Sequence, residues 1–304
     1  MTGPILISGP TASGKSALAL ALAARVGGSV INADALQVYG CWRVLSARPP
    51  AEDEAAAPHL LYGHVAAEDG YSTGRWLRDL AGALATCRAA RLRPIIVGGT
   101  GLYFRAATVG LAEMPEPDPA LRAGLEARLA ANGLTALVAA LAAVDPATAA
   151  RIDTDNPRRV LRAWEVLETT GLGLAAHHDA TPPPLIPLTS ALALRLTPDR
   201  ARLYAACDAR FDAMLAGGAL EEAAAVAALT PPACPQAMQA LGARELVAHL
   251  RGEITLAEAR ERATRITRNY AKRQLTWTRN QMGGWRAFDG GADALAALIA
   301  EGAV

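Results

Sequence analysis

Lysine is almost missing from this chain. Of its 30 basic residues only Lys15 and Lys272 are lysine, so each of the two positions invites inspection. Cysteine is scarce too. Cys41, Cys87, Cys207 and Cys234 are scattered, form no CxxC pair and show no metal-ligand spacing. A disulfide scaffold and a zinc site are thereby excluded, and a reducing, cytoplasmic location is expected. Residues 1–4 carry no basic n-region and run straight into a strand-like segment, and no uninterrupted apolar run reaches the roughly 18 residues of a spanning helix. Neither secretion nor a membrane partner is expected. Net charge is small, at +1, so no global field draws a polyanion, although a local basic patch is compatible with it. With 52% hydrophobic and 19% charged residues, disorder is excluded. A length of 304 residues fits one large α/β domain, or one carrying an insertion.

The apolar run 4–8 predicts a buried strand, and 17–26 a helix closed by Gly27 and Gly28. Strands are predicted at 29–33 and 94–97, a helix at 73–90 and a loop at 49–58. This alternation is that of a doubly wound parallel sheet. Pro115, Pro117 and Pro119 then mark a linker, and no strand signal follows until about residue 176. Helices are predicted at 121–131 and 134–144, with another capped by Asn156 and opened by Pro157. The stretch 180–187 is a stiff second linker. Beyond it come a strand at 192–196, helices at 199–216, 218–228, 240–251 and 256–281, and a short strand at 285–288. The expected fold is α/β: a P-loop doubly wound parallel sheet core, residues 1–114 and 189–304, with a helical insertion domain at 115–188.

Three strand ends carry chemistry. Gly9, Pro10, Thr11, Ala12, Ser13, Gly14, Lys15 and Ser16 match the P-loop pattern, with a strand before and a helix after. Its glycines let the backbone wrap a phosphate, and the helix start supplies aligned N–H donors. Lys15 adds a point charge, and Ser16 is the candidate Mg²⁺ ligand. The pattern leaves open which phosphate ligand binds. Asp34 ends the second strand, facing the P-loop across the crevice, either as a base or as a metal-holding carboxylate. Gly98 and Gly99 end the third strand, followed by Thr100, whose hydroxyl can meet an anionic oxygen.

Residues 260–286 hold eight basic residues against one acidic residue, Glu261. On a helix, Arg265, Arg268, Lys272 and Arg279 share an arc of roughly 60°. Without acidic partners such a face is expected to bind a phosphate backbone. Ile266, Tyr270 and Trp277 form a separate stripe, expected in the core. Arg158, Arg159 and Arg162 either extend the basic footprint or are exposed helix arginines. His177 and His178 read as a loop pair, and His59 and His64 carry no evident role.

Over nearly its whole length the chain resembles the tRNA dimethylallyltransferases, or tRNA isopentenyltransferases. The residues that carry the resemblance are 9–16, 32–39, 57–59, 97–103, 156–162, 210–215 and 271–277. The resemblance implies transfer of a dimethylallyl group from dimethylallyl diphosphate to N6 of the adenosine 3′ to the anticodon. The P-loop would hold a diphosphate leaving group, although such chains are often labelled nucleotide- or ATP-binding. By position, Asp34 is then the base at the adenine amine, Gln37 contacts the base, Thr100 lies by the bridging oxygen, and Arg210 binds diphosphate.

Contacts to the tRNA anticodon stem-loop are implied for Asp34, Ala35, Leu36, Gln37, Thr100, Arg122, Arg158, Arg159, Val160, Leu161 and Arg162. They are also implied for Gln239, Ala240, Leu241, Gly242, Ala243 and Arg244, and for Lys272, Arg273, Gln274, Leu275, Thr276, Trp277, Thr278 and Arg279. The sequence departs from the pattern at Ala35, where serine is usual. It departs again at 45–49, where Arg48 replaces the usual lysine, and at Ala243, where an aromatic is usual. A short bacterial form acting as a monomer is expected. The alternatives are a P-loop small-molecule kinase, with Asp34 on Mg²⁺, and a nucleotide-gated RNA-binding protein without chemistry.

Overall fold

The computed structural model describes residues 3–115 and 118–304, so the expected linker residue Pro117 lies outside the described residues. The chain separates into two compact units, one of residues up to 108 with 185–304, the other of residues 109–184.

The first unit opens with β1 (Ile5–Ser8), α1 (Lys15–Val26), β2 (Gly28–Asn32), α2 (Ala51–Ala56), β3 (His59–Leu60), α3 (Thr73–Ala89), β4 (Arg93–Gly98) and α4 (Gly101–Val109). The predicted loop at 49–58 is therefore partly helical. Glu52, Asp53 and Glu54 fall in the first turn of α2, where carboxylates complement the helix dipole.

The second unit holds α5 (Pro119–Val144), α6 (Pro146–Arg151), α7 (Pro157–Thr170) and α8 (Leu174–Asp179). By length and composition α5 is apolar enough to cross a membrane. However, Gly133 takes a non-helical conformation (φ 77°, ψ 165°) and divides it into two pieces, each shorter than the roughly 20 residues a span needs. Asn156 caps α7 by accepting from Arg158 N at 3.1 Å, and Pro157 follows at its first turn. Leu125, Leu137 and Leu141 of α5 pack with Val160, Leu161 and Trp164 of α7. His177 and His178 lie in α8 rather than in a loop, and His177 Nε2 sits 3.2 Å from Thr170 Oγ1.

The first unit resumes with β5 (Leu192–Leu196), α9 (Arg200–Ala216), α10 (Ala219–Ala227), α11 (Ala243–Leu250), α12 (Leu256–Gln281), β6 (Arg286–Phe288) and α13 (Gly291–Ala300). The six strands form one parallel sheet in the order β3-β2-β4-β1-β5-β6. Alternation along the strands gives it two apolar faces. Ile5, Ile7, Val30, Ile95 and Val97 meet α1 and α13. Leu6, Ile31 and Ile96 meet Trp76 and Leu80 of α3 and Phe104 of α4. Helices on both faces make the sheet doubly wound, as its unbroken apolar strands require.

Beside the sheet, α12 packs against α9 and α11. Its buried face is made of Ala259, Ala263, Thr264, Thr267, Ala271, Gln274, Leu275 and Thr278. The stripe expected in the core is not this face. Ile266 is 37% exposed and Tyr270 is half-buried, whereas Trp277, also half-buried, does pack against the core beside Gly101 of α4. Small residues win the core side because they let the helices approach closely.

Strands β2 and β4 converge where the site begins. A Cβ on Gly98 would lie 2.0 Å from the Ala33 carbonyl oxygen. Gly98→Ala must force these strand ends apart, at an expected cost of about 2 kcal/mol or more. Thermal melting should register it as a Tm lower by several degrees, and an unchanged Tm would contradict the close approach.

Candidate active site

The P-loop leaves β1 at Ser8 and enters α1 at Lys15. Its turn uses left-handed conformations at Ala12 (φ 62°) and Gly14 (φ 81°). The second suits glycine, which pays no Cβ penalty there. Gly9 lies close to Ser13, since a Cβ on it would meet Ser13 Oγ at 2.8 Å. The Ser13 hydroxyl is buried with no partner among the described residues, a donor available to an anion.

Lys15 and Arg210 supply the charge. The Lys15 ammonium donates to the Pro10 carbonyl at 3.2 Å and makes no ion pair among the described residues. Burial pushes its pKa down to about 8, against an opposing pull from Asp34 and a further push from Arg210. Arg210, on α9, donates to the Thr11 hydroxyl. Burial lowers its pKa as well, opposed by Cys207 and Asp34. A cavity of about 110 Å³ is lined by Thr11 to Ala17, Asp34, Gln37, Ser46, Ala47 and Arg210. It therefore combines two cations, helix-start N–H groups and one carboxylate.

Asp34 is fixed by its own turn. Its backbone N–H donates to Asn32 Oδ1 at 2.8 Å, and its Oδ1 accepts from Leu36 N at 3.0 Å. Asn32 is buried and donates to the Asp34 and Leu61 carbonyls at 2.9 and 3.0 Å, while Trp76 Nε1 donates to the Asn32 carbonyl. Thr100 Oγ1 accepts from Ala35 N at 2.9 Å. Thr100 is outside the cavity lining and serves the Asp34 turn. Both amide protons of Gln37 are taken, by the Ser46 carbonyl at 2.9 Å and the Ala47 carbonyl at 2.7 Å, which leaves Oε1 as its open group. Ser16 is exposed at the cavity wall.

Two residues take a place in this site other than the one sequence reasoning gave them, Tyr270 having been expected in the core stripe and Gln274 as a tRNA contact. Tyr270 lies beside Thr100 and Gln274, and burial pushes its pKa up, with Asp34 the next cause. Gln274 joins two of the loops. Its Oε1 accepts from Thr11 N at 2.8 Å, and its Nε2 donates to the Gly99 carbonyl at 2.9 Å.

The residues expected to face RNA divide by burial. Val160, Leu161, Ala240, Ala243, Gln274, Leu275 and Thr278 are buried, so their side chains are not a contact surface, and Gly242 is buried too. Those positions turn inward, most of them into the packing around their helices and Gln274 onto the Thr11 and Gly99 loops. Gln239, Arg244, Arg158, Arg159, Lys272, Arg273, Thr276 and Arg279 are exposed, and Leu36 and Leu241 are half-buried. In the second unit, Arg122 and Arg162 both pair with the buried Glu165, at 2.5 and 3.2 Å. The basic helix is also less free of acids than its own sequence indicates. Arg268 pairs with Asp208 at 2.7 Å and Arg260 with Asp212 at 2.5 Å, both acids lying on α9. Arg265, Lys272 and Arg279 make no ion pair among the described residues, and Arg273 lies over the Tyr270 ring.

This geometry stands beside clear likenesses. The profile of the isopentenyl transferase family matches residues 3–59, and that of the IPP transferase family matches residues 37–281. A tRNA dimethylallyltransferase of Cereibacter sphaeroides is 58% identical, covering 93% of this chain and 87% of its own. This chain belongs to the tRNA dimethylallyltransferase family. The tRNA dimethylallyltransferase of Dinoroseobacter shibae is 54% identical, covering 93% of each chain. Among solved structures, a tRNA isopentenylpyrophosphate transferase of Bacillus halodurans aligns with TM-score 0.67 and 32% identity, covering 95% of this chain and 90% of that one. A eukaryotic dimethylallyltransferase acting on tRNA aligns with TM-score 0.77 and 26% identity, over 91% of this chain and 70% of that one. As a member of this family the chain is a prenyltransferase, and the small-molecule-kinase alternative is not favoured.

The depressed pKa of Lys15 has a measurable sign. Below about pH 8 its ammonium is charged and attracts an anion, and above that pH the charge is lost. Affinity for inorganic diphosphate is expected to fall by up to about tenfold per pH unit on the alkaline side. Arginine keeps its charge there, so Lys15→Arg should flatten the decline. Calorimetric titration between pH 7 and 9.5 compares the two, and equal slopes would exclude the Lys15 contribution.

Proposed function

We propose that this protein transfers a dimethylallyl group from dimethylallyl diphosphate to N6 of the adenosine adjacent 3′ to the anticodon of tRNAs, releasing diphosphate. One observation carries the reading. A cavity with two cations, an unpartnered buried hydroxyl and helix-start N–H groups has a single carboxylate, Asp34, on its wall. Its cations suit a leaving diphosphate, and its carboxylate suits an amine that must lose a proton.

In this reaction the C1–O bond of the donor breaks and its electron pair leaves with the diphosphate. Lys15, Arg210 and the P-loop N–H groups meet that growing charge. The adenine N6 lone pair forms the new bond to C1, and Asp34 accepts the proton that N6 gives up. Gln37 offers Oε1 to the base edge, its amide protons already being held by the 46–47 carbonyls. To reach the cavity the base leaves the anticodon-loop stack. The residues present fit Mg²⁺. Ser16 is an exposed hydroxyl on the wall, and among the described residues no three His, Cys, Asp or Glu cluster to form a complete cage. Such a site suits an ion that keeps most of its ligands as water and phosphate oxygens. When bound, Mg²⁺ would add charge neutralisation on the diphosphate.

The exposed face of α12 is our proposed anticodon-stem contact, with Lys272 its best probe. Lys272→Ala is expected to weaken tRNA binding and to reduce the log–log salt slope by about one unit, the loss of one phosphate contact. Filter binding across a salt series checks this, and an unaltered slope moves the footprint elsewhere.

The defining experiment incubates the protein with tRNA and dimethylallyl diphosphate and analyses the nucleosides by mass spectrometry. Asp34→Asn should keep tRNA binding and lose about 10²-fold or more in single-turnover rate. A rate within about threefold of wild type would remove Asp34 as the base, that being far below the usual effect of a positioned base.

A further inference from the structure

The carboxamide of Gln274 sits between two loops of the active site. It is 6% exposed and uses both ends. Oε1 accepts the Thr11 N–H of the P-loop at 2.8 Å, and Nε2 donates to the Gly99 carbonyl at 2.9 Å. The fit is tight, since a Cβ on Gly99 would lie 2.1 Å from Nε2. Both loops carry reacting groups. Thr11 holds Arg210 through its hydroxyl and begins the cavity wall. The same Cβ on Gly99 would lie 3.3 Å from Asp34 Oδ2, and the next residue, Thr100, accepts from Ala35 N beside Asp34.

We propose that Gln274 is a positioning residue that sets the distance between the diphosphate-binding loop and the Asp34–Thr100 loop. The inference rests on the prenyl-transfer reading above. Leaving group and proton acceptor act on opposite sides of one carbon, so their separation must hold to a fraction of an ångström. A misplacement of about 1 Å is worth roughly 10²-fold in rate. A primary amide offers one acceptor and one donor at this spacing on one rigid plane, whatever the pH. Gln274 does not touch the substrates in this role. Its neighbours Lys272 and Arg273 are exposed on the same helix, so a contact to RNA and a contact to the loops predict different kinetics.

The experiment uses two variants of the full chain, with tRNA and dimethylallyl diphosphate as probes. Gln274→Ala removes both bonds. It is expected to lower kcat by about 10²-fold while the KM for tRNA stays within about twofold. Gln274→Glu keeps the shape and the acceptor for Thr11 N but, when ionised, presents a second acceptor to the Gly99 carbonyl. When protonated it restores the donor. Its kcat relative to wild type should therefore rise as pH falls, a recovery that a merely space-filling residue would not give. Thermal melting of both variants confirms that folded protein is being measured. A raised tRNA KM at unchanged kcat would overturn the proposal in favour of RNA contact. A Gln274→Glu ratio flat with pH, or unfolding of both variants, would overturn it in favour of a purely structural role. Absence of transfer by the wild-type protein would instead sink the functional reading on which the proposal rests.

Discussion

Two cations share one small cavity at the carboxyl end of β1, and neither has a salt-bridge partner among the described residues. Lys15 is 9% exposed and touches only a backbone carbonyl, while Arg210 holds a threonine hydroxyl. Two buried cations cost free energy until an anion arrives, and burial itself lowers the pKa of both groups, with Arg210 adding a smaller push on Lys15. The P-loop turn, the arriving α9 and the carboxylate on the far wall follow from this arrangement. The rest of the sheet is the frame that keeps it from relaxing. Removing the charge conflict would be easy for a single substitution, and its presence is the strongest sign that the cavity is built for a ligand rather than for stability.

Helix α12 serves two surfaces at once. Its inward face is alanine and threonine, which allows close packing on α9 and α11, with Gln274 reaching through to the loops. Its outward face carries Arg265, Lys272, Arg273 and Arg279. In the proposed reaction, a rigid helix that touches both the Thr11 and Gly99 loops and the solvent would give a docked tRNA a fixed relation to the reacting atoms. Asp208 and Asp212 of α9 neutralise the Arg268 and Arg260 charges and restrict the open field to the helix's remaining cations.

Much of this was legible in the chain. Glycine spacing between a strand and a helix announced the P-loop because backbone conformation there is local. The Asn156–Pro157 helix start was legible for the same reason. The short helix α2 was missed because alanines and acids near prolines read equally well as loop. The apolar stripe of α12 was right for Trp277, which packs against the core, and wrong for the exposed Ile266, because hydrophobicity dominates pattern reading whereas close helix packing selected small residues for the most buried side. The acids opposing Arg268 and Arg260 lie 60 and 48 positions away, and no inspection of the helix alone reveals them. Gln274 was noticed only as part of a matched stretch, because its bonding partners stand 263 and 175 positions distant.

At Ala35 the departure from the family pattern falls where the side chain is not the group in use, whereas at Arg48 the side chain itself makes the contacts. At Ala35 the backbone N–H makes the bond to Thr100, which a serine would leave unchanged. At Ala243 the side chain is fully buried against its own helical layer, so an aromatic would need a different packing around α11. Arg48 is the informative case. Its guanidinium lies against Gly63, where a Cβ would fall 2.2 Å from Cζ, and reaches toward the Tyr39 and Gly40 carbonyls. The neighbouring Ser46 and Ala47 carbonyls hold Gln37, and Glu222 accepts the N–H groups of Arg43, Val44 and Leu45 at 2.5 to 2.9 Å. The loop is thus pinned from α10 on one side and by arginine on the other. Its backbone carbonyls, and hence the orientation of Gln37, can persist although the side chains along 45–49 differ. At 46–47 the site uses the main chain, and that main chain is held by Glu222 and by Arg48 itself.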